Sequence, residues 1–164
     1  MTVTLSRMAE AHRKPVIDIY NHFVDKSFAA YREKRLPYTA YDQFLAMVTG
    51  YPAYVAEGAD DLVLGFGFLH AWHPAECFAR TAEVTYFLHP DWTGRGLGTR
   101  LLTALLEDAR AAGLECILAS ISSLNEQSLA FHGKHGFRVC GQFDGVGHKF
   151  GRDFGVVWML RRVE

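Results

Sequence analysis

Cysteine is scarce in this sequence. Cys77, Cys116 and Cys140 stand far apart and are odd in number. That argues against a disulfide framework and fits free thiols in a reducing cytoplasm, where the protein is expected to reside. Cys116, inside an apolar run, reads as a small core residue rather than a nucleophile. Charge of one sign is also lacking: 17 basic against 18 acidic side chains leave a formal net charge of −1. With no basic block, nucleic acid is not an expected partner. Long hydrophobic runs are missing too, so no membrane partner is expected. Arg7 and Glu10 interrupt the start before a signal-peptide core forms. No internal repeat or low-complexity tract is visible. What is present is 164 residues, 49% hydrophobic and 13% aromatic, enough for one domain with a real core.

The periodicities divide the chain into alternating elements. Val3–Met8 reads as a strand. Ala11–Phe23 reads as a helix with Val16, Ile19, Tyr20 and Phe23 on one face, and Pro15 must lie in its first turn. The stretch 25–40 has no clean period. Its rings, Phe28 and Tyr31 among them, suit either a substrate wall or a loop pinned to the core. Tyr41–Val48 is a short helix. Strands follow at Ala53–Glu57, Leu62–His70 and Thr81–His89, the last alternating Val84, Tyr86 and Leu88 against Glu83, Thr85, Phe87 and His89. A helix beginning at Leu97 directs Leu101, Leu102, Leu105 and Ala109 toward a sheet, and Gly113 closes it. Glu115–Ile121 is a buried strand, and a helix capped by Ser123 or Asn125 runs to Lys134. Phe137–Gln142 and Asp153–Leu160 are the last strands, joined by a glycine-containing connection. The predicted fold is a three-layer α/β arrangement, a mixed sheet of about seven strands with helices on both faces.

One stretch organises the rest. Glu83–Gly98, EVTYFLHPDWTGRGLG, is a strand that ends in closely spaced glycines and opens a helix. Backbone N–H groups of such a turn converge on one spot, and the helix dipole adds positive potential there, so the stretch predicts an anion site. It is neither a P-loop, since no Lys-Ser/Thr follows, nor a dinucleotide fingerprint, since the spacing is GxGxG.

HPDWTGRGLGTRLL resembles the acyl-coenzyme A pyrophosphate loop, [QR]xxGx[GA], of the GCN5-related N-acetyltransferase (GNAT) superfamily, with Thr93 where that pattern has Gln or Arg. Four further stretches resemble the phosphinothricin and methionine sulfoximine N-acetyltransferases of that superfamily: Ile19-Tyr20-Asn21, Thr81-Ala82-Glu83, Asn125–Phe137 (NEQSLAFHGKHGF) and Gly147–Arg152 (GHKFGR). The subfamily usually has His after its Glu, where Val84 stands here. It often has Asp shortly after GR, where Gly155 stands, and arginines before the central strand, where only Arg80 is found.

The resemblance implies acetyl-CoA as cofactor and transfer of acetyl to the α-amine of a small amino-acid-like compound. It also implies a GNAT fold in which pantetheine lies between two splayed strands, and a homodimer. The family's catalytic Glu maps onto Glu83, which makes it the candidate general base, acting through water, with a structural Glu on an edge strand as the alternative. A carboxylate inside an aromatic cleft would have a raised pKa, which suits base work near neutrality. His132 stands where many members have a thiolate-protonating Tyr, with a helix-surface histidine as the alternative; Tyr86 is a second candidate if a bulge turns it inward. Backbone N–H groups at Phe87, Leu88 and His89 fall to the oxyanion and pantetheine, and Gly94, Arg95, Gly96, Leu97, Gly98 and Thr99 to the pyrophosphate. Asn125, with Ser128 in the same motif, falls to the coenzyme or, for Asn125, to a helix cap. Phe28, Tyr31, Arg80, Lys149 and Arg152 are candidates for the acceptor; the last two also suit a dimer interface or a solvated turn. The 70–80 connection and the 145–153 segment are expected to help build the acceptor pocket. No metal site is expected: His70, His73 and Cys77 have suggestive spacing, but Pro74 interrupts them and a fourth ligand is missing. A different amine, a protein N-terminus or a non-catalytic acyl-CoA sensor are the alternative readings.

Overall fold

The structure is a computed structural model and describes residues 2–164. It contains strand β1 (Thr4–Arg7), helices α1 (Arg13–Lys26) and α2 (Tyr41–Met47), and strands β2 (Ala53–Glu57), β3 (Val63–Ala71) and β4 (Thr81–Leu88). Helix α3 (Leu97–Ala111), β5 (Cys116–Ser122), α4 (Glu126–Lys134), β6 (Arg138–Lys149) and β7 (Arg152–Arg162) follow. The strands form one sheet in the order β1-β2-β3-β4-β5-β7-β6. All neighbours run antiparallel except β4 and β5, which α3 joins as a parallel crossover.

Alternation along the strands divides the core between two faces. On one, Val16, Ile17 and Ile19 of α1 and Tyr41 of α2 bury against Val55, Phe66 and Phe68. On the other, Leu102, Leu105 and Ala109 of α3 bury against Leu69, Ala82, Val84 and Ile117. Leu101, Leu102 and Leu105 are essentially solvent-free, and each such side chain contributes roughly 2 kcal/mol of transfer free energy. Pro15 falls in the first turn of α1, where no intrahelical bond needs its missing N–H.

The parallel pair positions the site. Pairing between β4 and β5 covers only Thr81↔Cys116, Ala82↔Ile117 and Glu83↔Leu118. Beyond Glu83 each strand follows its outer neighbour: β4 stays on β3 to Leu88, and β5 stays on β7 to Ser122. The sheet therefore forks at Glu83.

Two expectations need correction. The predicted 145–153 connection is largely strand: β6 runs to Lys149 and turns at Phe150-Gly151 into β7. Register shifts at Val139/Gly141 and Phe143/Gly147 absorb its glycines. Gly147 permits a close crossing, because a Cβ there would lie 2.3 Å from the Phe154 ring. Second, β4 pairs with β3 without a register shift, so Tyr86 reaches its place with no bulge.

Candidate active site

A cleft of about 800 Å³ opens at the fork, within the range of small-ligand sites. The β4 residues Glu83, Tyr86, Phe87 and Leu88, the turn residues Gly94, Gly96, Gly98 and Thr99, and Asn125, Ser128 and His132 of the α4 motif all line it. Phe28 and Tyr31 line its other end.

At the glycine turn, Gly94 and Gly96 have φ of +71° and +78°, a left-handed backbone that glycine adopts without steric cost, and Gly96 caps α3. The turn thereby aims the first N–H groups of α3 at the cleft. Only part of the turn contributes side chains. Leu97 is buried against Ala56 and Leu64, and Arg95 lays its guanidinium over the Trp92 ring at 4.8 Å, so the reading of those two as ligand-facing reduces to their backbone. Thr99 Oγ1 lies 3.0 Å from Nε2 of His135.

The expected N–H groups on β4 also need correction. His89 N–H donates to Leu64 O at 2.8 Å, and its ring accepts from Asp91 N–H. His89 is thus tied into the sheet and lies outside the cleft. Alternation along an antiparallel pair sends the N–H of Phe87 the same way, toward β3. The N–H groups of Tyr86 and Leu88 then point into the fork.

His132 is not a surface histidine. It is buried on α4, its ring stacked on Tyr86 with centroids 5.5 Å apart and planes 14° apart. Its Nδ1 donates to the Ser128 carbonyl at 2.7 Å. A carbonyl only accepts, so Nδ1 carries the ring proton and Nε2 accepts from the Tyr86 hydroxyl. Burial lowers the pKa of His132 and raises that of Tyr86, so the neutral pair is favoured. Asn125 caps α4, its Oδ1 accepting from Ser128 N–H at 3.1 Å, and also lines the cleft.

Glu83 stands at the fork. Burial raises its carboxyl pKa above the ordinary value. Nearby, Tyr31 bonds across the cleft to Ser120 Oγ of β5 at 3.0 Å. Tyr20 and Phe23 of α1 pack edge-on and tilted against Phe87, each with centroids 5.2 Å away, and continue the aromatic wall.

Three acceptor candidates lie elsewhere. Arg80 is ion-paired with Glu115 on the exposed outer end of the parallel pair, and the 70–80 connection does not line the cleft. Arg152 is exposed at the start of β7, away from the lining. Lys149 is buried, its ammonium donating to backbone carbonyls of Ser27 and Ala30. Sequence reasoning missed Ser120, Ser122, Lys26 and Lys134 of the lining. The two serines carried a signal: they interrupt an otherwise apolar central strand, CILASIS. Gly155, where the subfamily often has Asp, has no room for a side chain, since a Cβ would lie 2.6 Å from Phe143 O.

A family model described as Acetyltransferase (GNAT) family matches residues 16–137. The chain belongs to this family. An L-methionine sulfoximine/L-methionine sulfone acetyltransferase of Pseudomonas paraeruginosa is 43% identical over 110 residues, 67% of this chain; the match spans 64% of that relative's length. The L-amino acid N-acyltransferase MnaT of Escherichia coli is 32% identical over 169 residues, spanning 100% of this chain and 95% of its own. Among solved structures, yncA of Salmonella typhimurium, determined with its cofactor acetyl-CoA, superposes with a TM-score of 0.92 at 29% identity. That alignment covers 100% of this chain and 95% of the other.

Proposed function

We propose that the protein transfers the acetyl group of acetyl-CoA to the α-amine of a small amino-acid-like compound of the methionine sulfoximine, methionine sulfone or phosphinothricin type. The observation that carries this reading is Glu83 at the fork, a carboxyl with a burial-raised pKa between an anion-binding turn and an aromatic pocket. The names of the Pseudomonas and Escherichia relatives support the α-amino class. The Tyr31–Ser120 bond narrows the acceptor end, which favours a small substrate over a polypeptide terminus.

The residues present fit the coenzyme. The glycine turn and the first turn of α3 form a cradle for its pyrophosphate. N–H groups of Tyr86 and Leu88 face the gap its pantetheine arm would enter. Bound there, acetyl-CoA supplies an activated thioester carbonyl.

The chain's own groups then manage protons and charge. An α-ammonium loses two protons overall on acetylation. Glu83, directly or through water, takes the first and leaves a nucleophilic amine. The fork-facing N–H groups of β4 stabilise negative charge on the carbonyl oxygen. The second proton leaves the amine nitrogen as the C–S bond breaks and ends on the departing thiolate. We assign this relay to the Tyr86 hydroxyl, which turns its proton from His132 Nε2 to the sulfur and regains one from the amine nitrogen. His132, through its fixed tautomer, holds that hydroxyl in place.

We further propose a homodimer in the cytoplasm. The three free thiols suit a reducing compartment. Strand β6, at the sheet edge, exposes Val139, Phe143 and Val146 at 58%, 57% and 62%, and an open apolar edge is a hazard unless a second copy covers it. Sedimentation at micromolar concentration tests this: a monomer would refute it.

The decisive experiment measures acetyl-CoA-dependent thiol release over a panel of methionine sulfoximine, methionine sulfone, phosphinothricin, L-amino acids, polyamines and short peptides. Selective turnover of one amino-acid-like compound supports the reading. Turnover of peptides alone, or coenzyme binding without turnover of any member, overturns it.

A further inference from the structure

The GHKFGR stretch remains without a role in the reaction, and its lysine is the least expected feature of the interior. Lys149 ends β6 and is 1% exposed. Its Nζ donates to Ser27 O at 2.7 Å and Ala30 O at 2.8 Å, and lies 3.5 Å from Phe23 O. No carboxylate is ion-paired with it among the described residues. Burying an ammonium without a counter-ion is unfavourable unless dipoles replace its water. Here the dipoles are carbonyls at the C-terminus of α1, the negative end of a helix, and just beyond it. Burial still lowers the Lys149 pKa.

The carbonyls it gathers belong to the segment that carries the acceptor wall. Residues 27–31 lie outside every helix and strand, yet Phe28 and Tyr31 line the cleft. The same hairpin grips this segment a second time. Phe154 of β7 stacks on Tyr31 at 5.8 Å and meets Phe28 edge-on at 5.5 Å. The glycine at 147 leaves the space this ring occupies.

We propose that Lys149 is a positioning residue for acceptor selection: its buried ammonium clamps residues 27–31 to the β6–β7 hairpin and so sets where the Phe28–Tyr31 wall stands. This rests on the acetyltransferase reading only for the identity of the acceptor; the clamp itself is a matter of local order. The turn at Gly94–Thr99 shares none of these contacts, so loosening the clamp changes the acceptor end and spares the coenzyme end.

The test is Lys149→Met, close in length but without charge or donor. We expect backbone amides in 27–31 to exchange hydrogen about tenfold faster or more, with the central strands unchanged. The acceptor KM should rise about tenfold or more, with the acetyl-CoA dissociation constant within about twofold of wild type. Should that variant fail to fold, Phe154→Leu loosens the same segment while leaving the ammonium in place, and the same readouts apply with smaller effects. Unchanged exchange at 27–31 in the folded variant, or coenzyme binding that weakens in step with the acceptor, overturns the proposal. If wild-type protein turns over no acceptor, the functional reading falls, while exchange and coenzyme binding still decide the clamp.

Discussion

The two ends of the cleft are built by different means. The coenzyme end is backbone: a strand edge, a glycine turn and a helix start, all within Thr81–Thr99. The acceptor end is side chains from segments far apart in sequence, with Phe28 and Tyr31 set against Glu83, Ser120 and Phe154. A backbone cradle tolerates most side-chain changes and reads a constant ligand. A side-chain pocket changes its ligand with one substitution. The difference implies that mutations should separate into two sets, one moving acetyl-CoA binding and the other moving the acceptor.

The strongest challenge to that separation is Glu83, where the ends meet. Glu83→Gln should lower kcat by about 10²–10⁴-fold while acetyl-CoA binding, measured by calorimetry, stays unchanged. The base works deprotonated, so kcat/KM should fall as pH drops through its pKa. Because burial raises that pKa, the acid limb should lie above the ordinary glutamate range, and it should vanish in the variant. A variant that keeps full rate removes Glu83 from the chemistry.

Tyr86→Phe comes next. It leaves the ring stacked on His132 and removes only the hydroxyl that Nε2 accepts from. We expect kcat to fall about 10–100-fold with little change in either KM. A rise in acetyl-CoA KM instead would make the hydroxyl a binding group.

Gly96→Ala sharpens the coenzyme side. A non-glycine residue at φ +78° costs of order 1–3 kcal/mol, which the turn can shed only by moving its N–H groups off the pyrophosphate position, so acetyl-CoA should bind up to about 5–150-fold more weakly. Acceptor KM at saturating coenzyme should not move. If it does, the two ends are coupled through the turn.

How much of this was legible in sequence follows the same division. The glycine turn, the strand before it and the helix after it are local, so their residue order already carries their geometry. Glu83 and Asn125, which the structure places along the cleft, stood out as candidates because they sit in contiguous motifs. The roles of Arg80 and Lys149 were misplaced because charge alone does not say which way a side chain turns. Arg80 found Glu115 on the outer end of the sheet, and Lys149 found carbonyls over a hundred residues away. The β6–β7 hairpin was cut short because its glycines read as loop, whereas bulges and the Phe154 ring keep them in strand. His132 was left even between surface and site, since periodicity does not reveal a buried tyrosine partner 46 residues earlier.

The smallest expected effect is also the cleanest probe of the acceptor end. Tyr31→Phe keeps the ring that stacks on Phe154 and deletes only the hydroxyl bonded to Ser120. A hydrogen bond of this kind contributes about 0.5–1.5 kcal/mol, so acceptor KM should rise roughly two- to tenfold. Acetyl-CoA affinity should be untouched, because the bond crosses the cleft away from the glycine turn. Ser120→Ala removes the same bond from its other side. Since both changes delete one interaction, the double variant should be no worse than the poorer single one. Additive losses would mean that each hydroxyl contacts the acceptor on its own account, and that the wall reads its ligand through polar groups as well as rings.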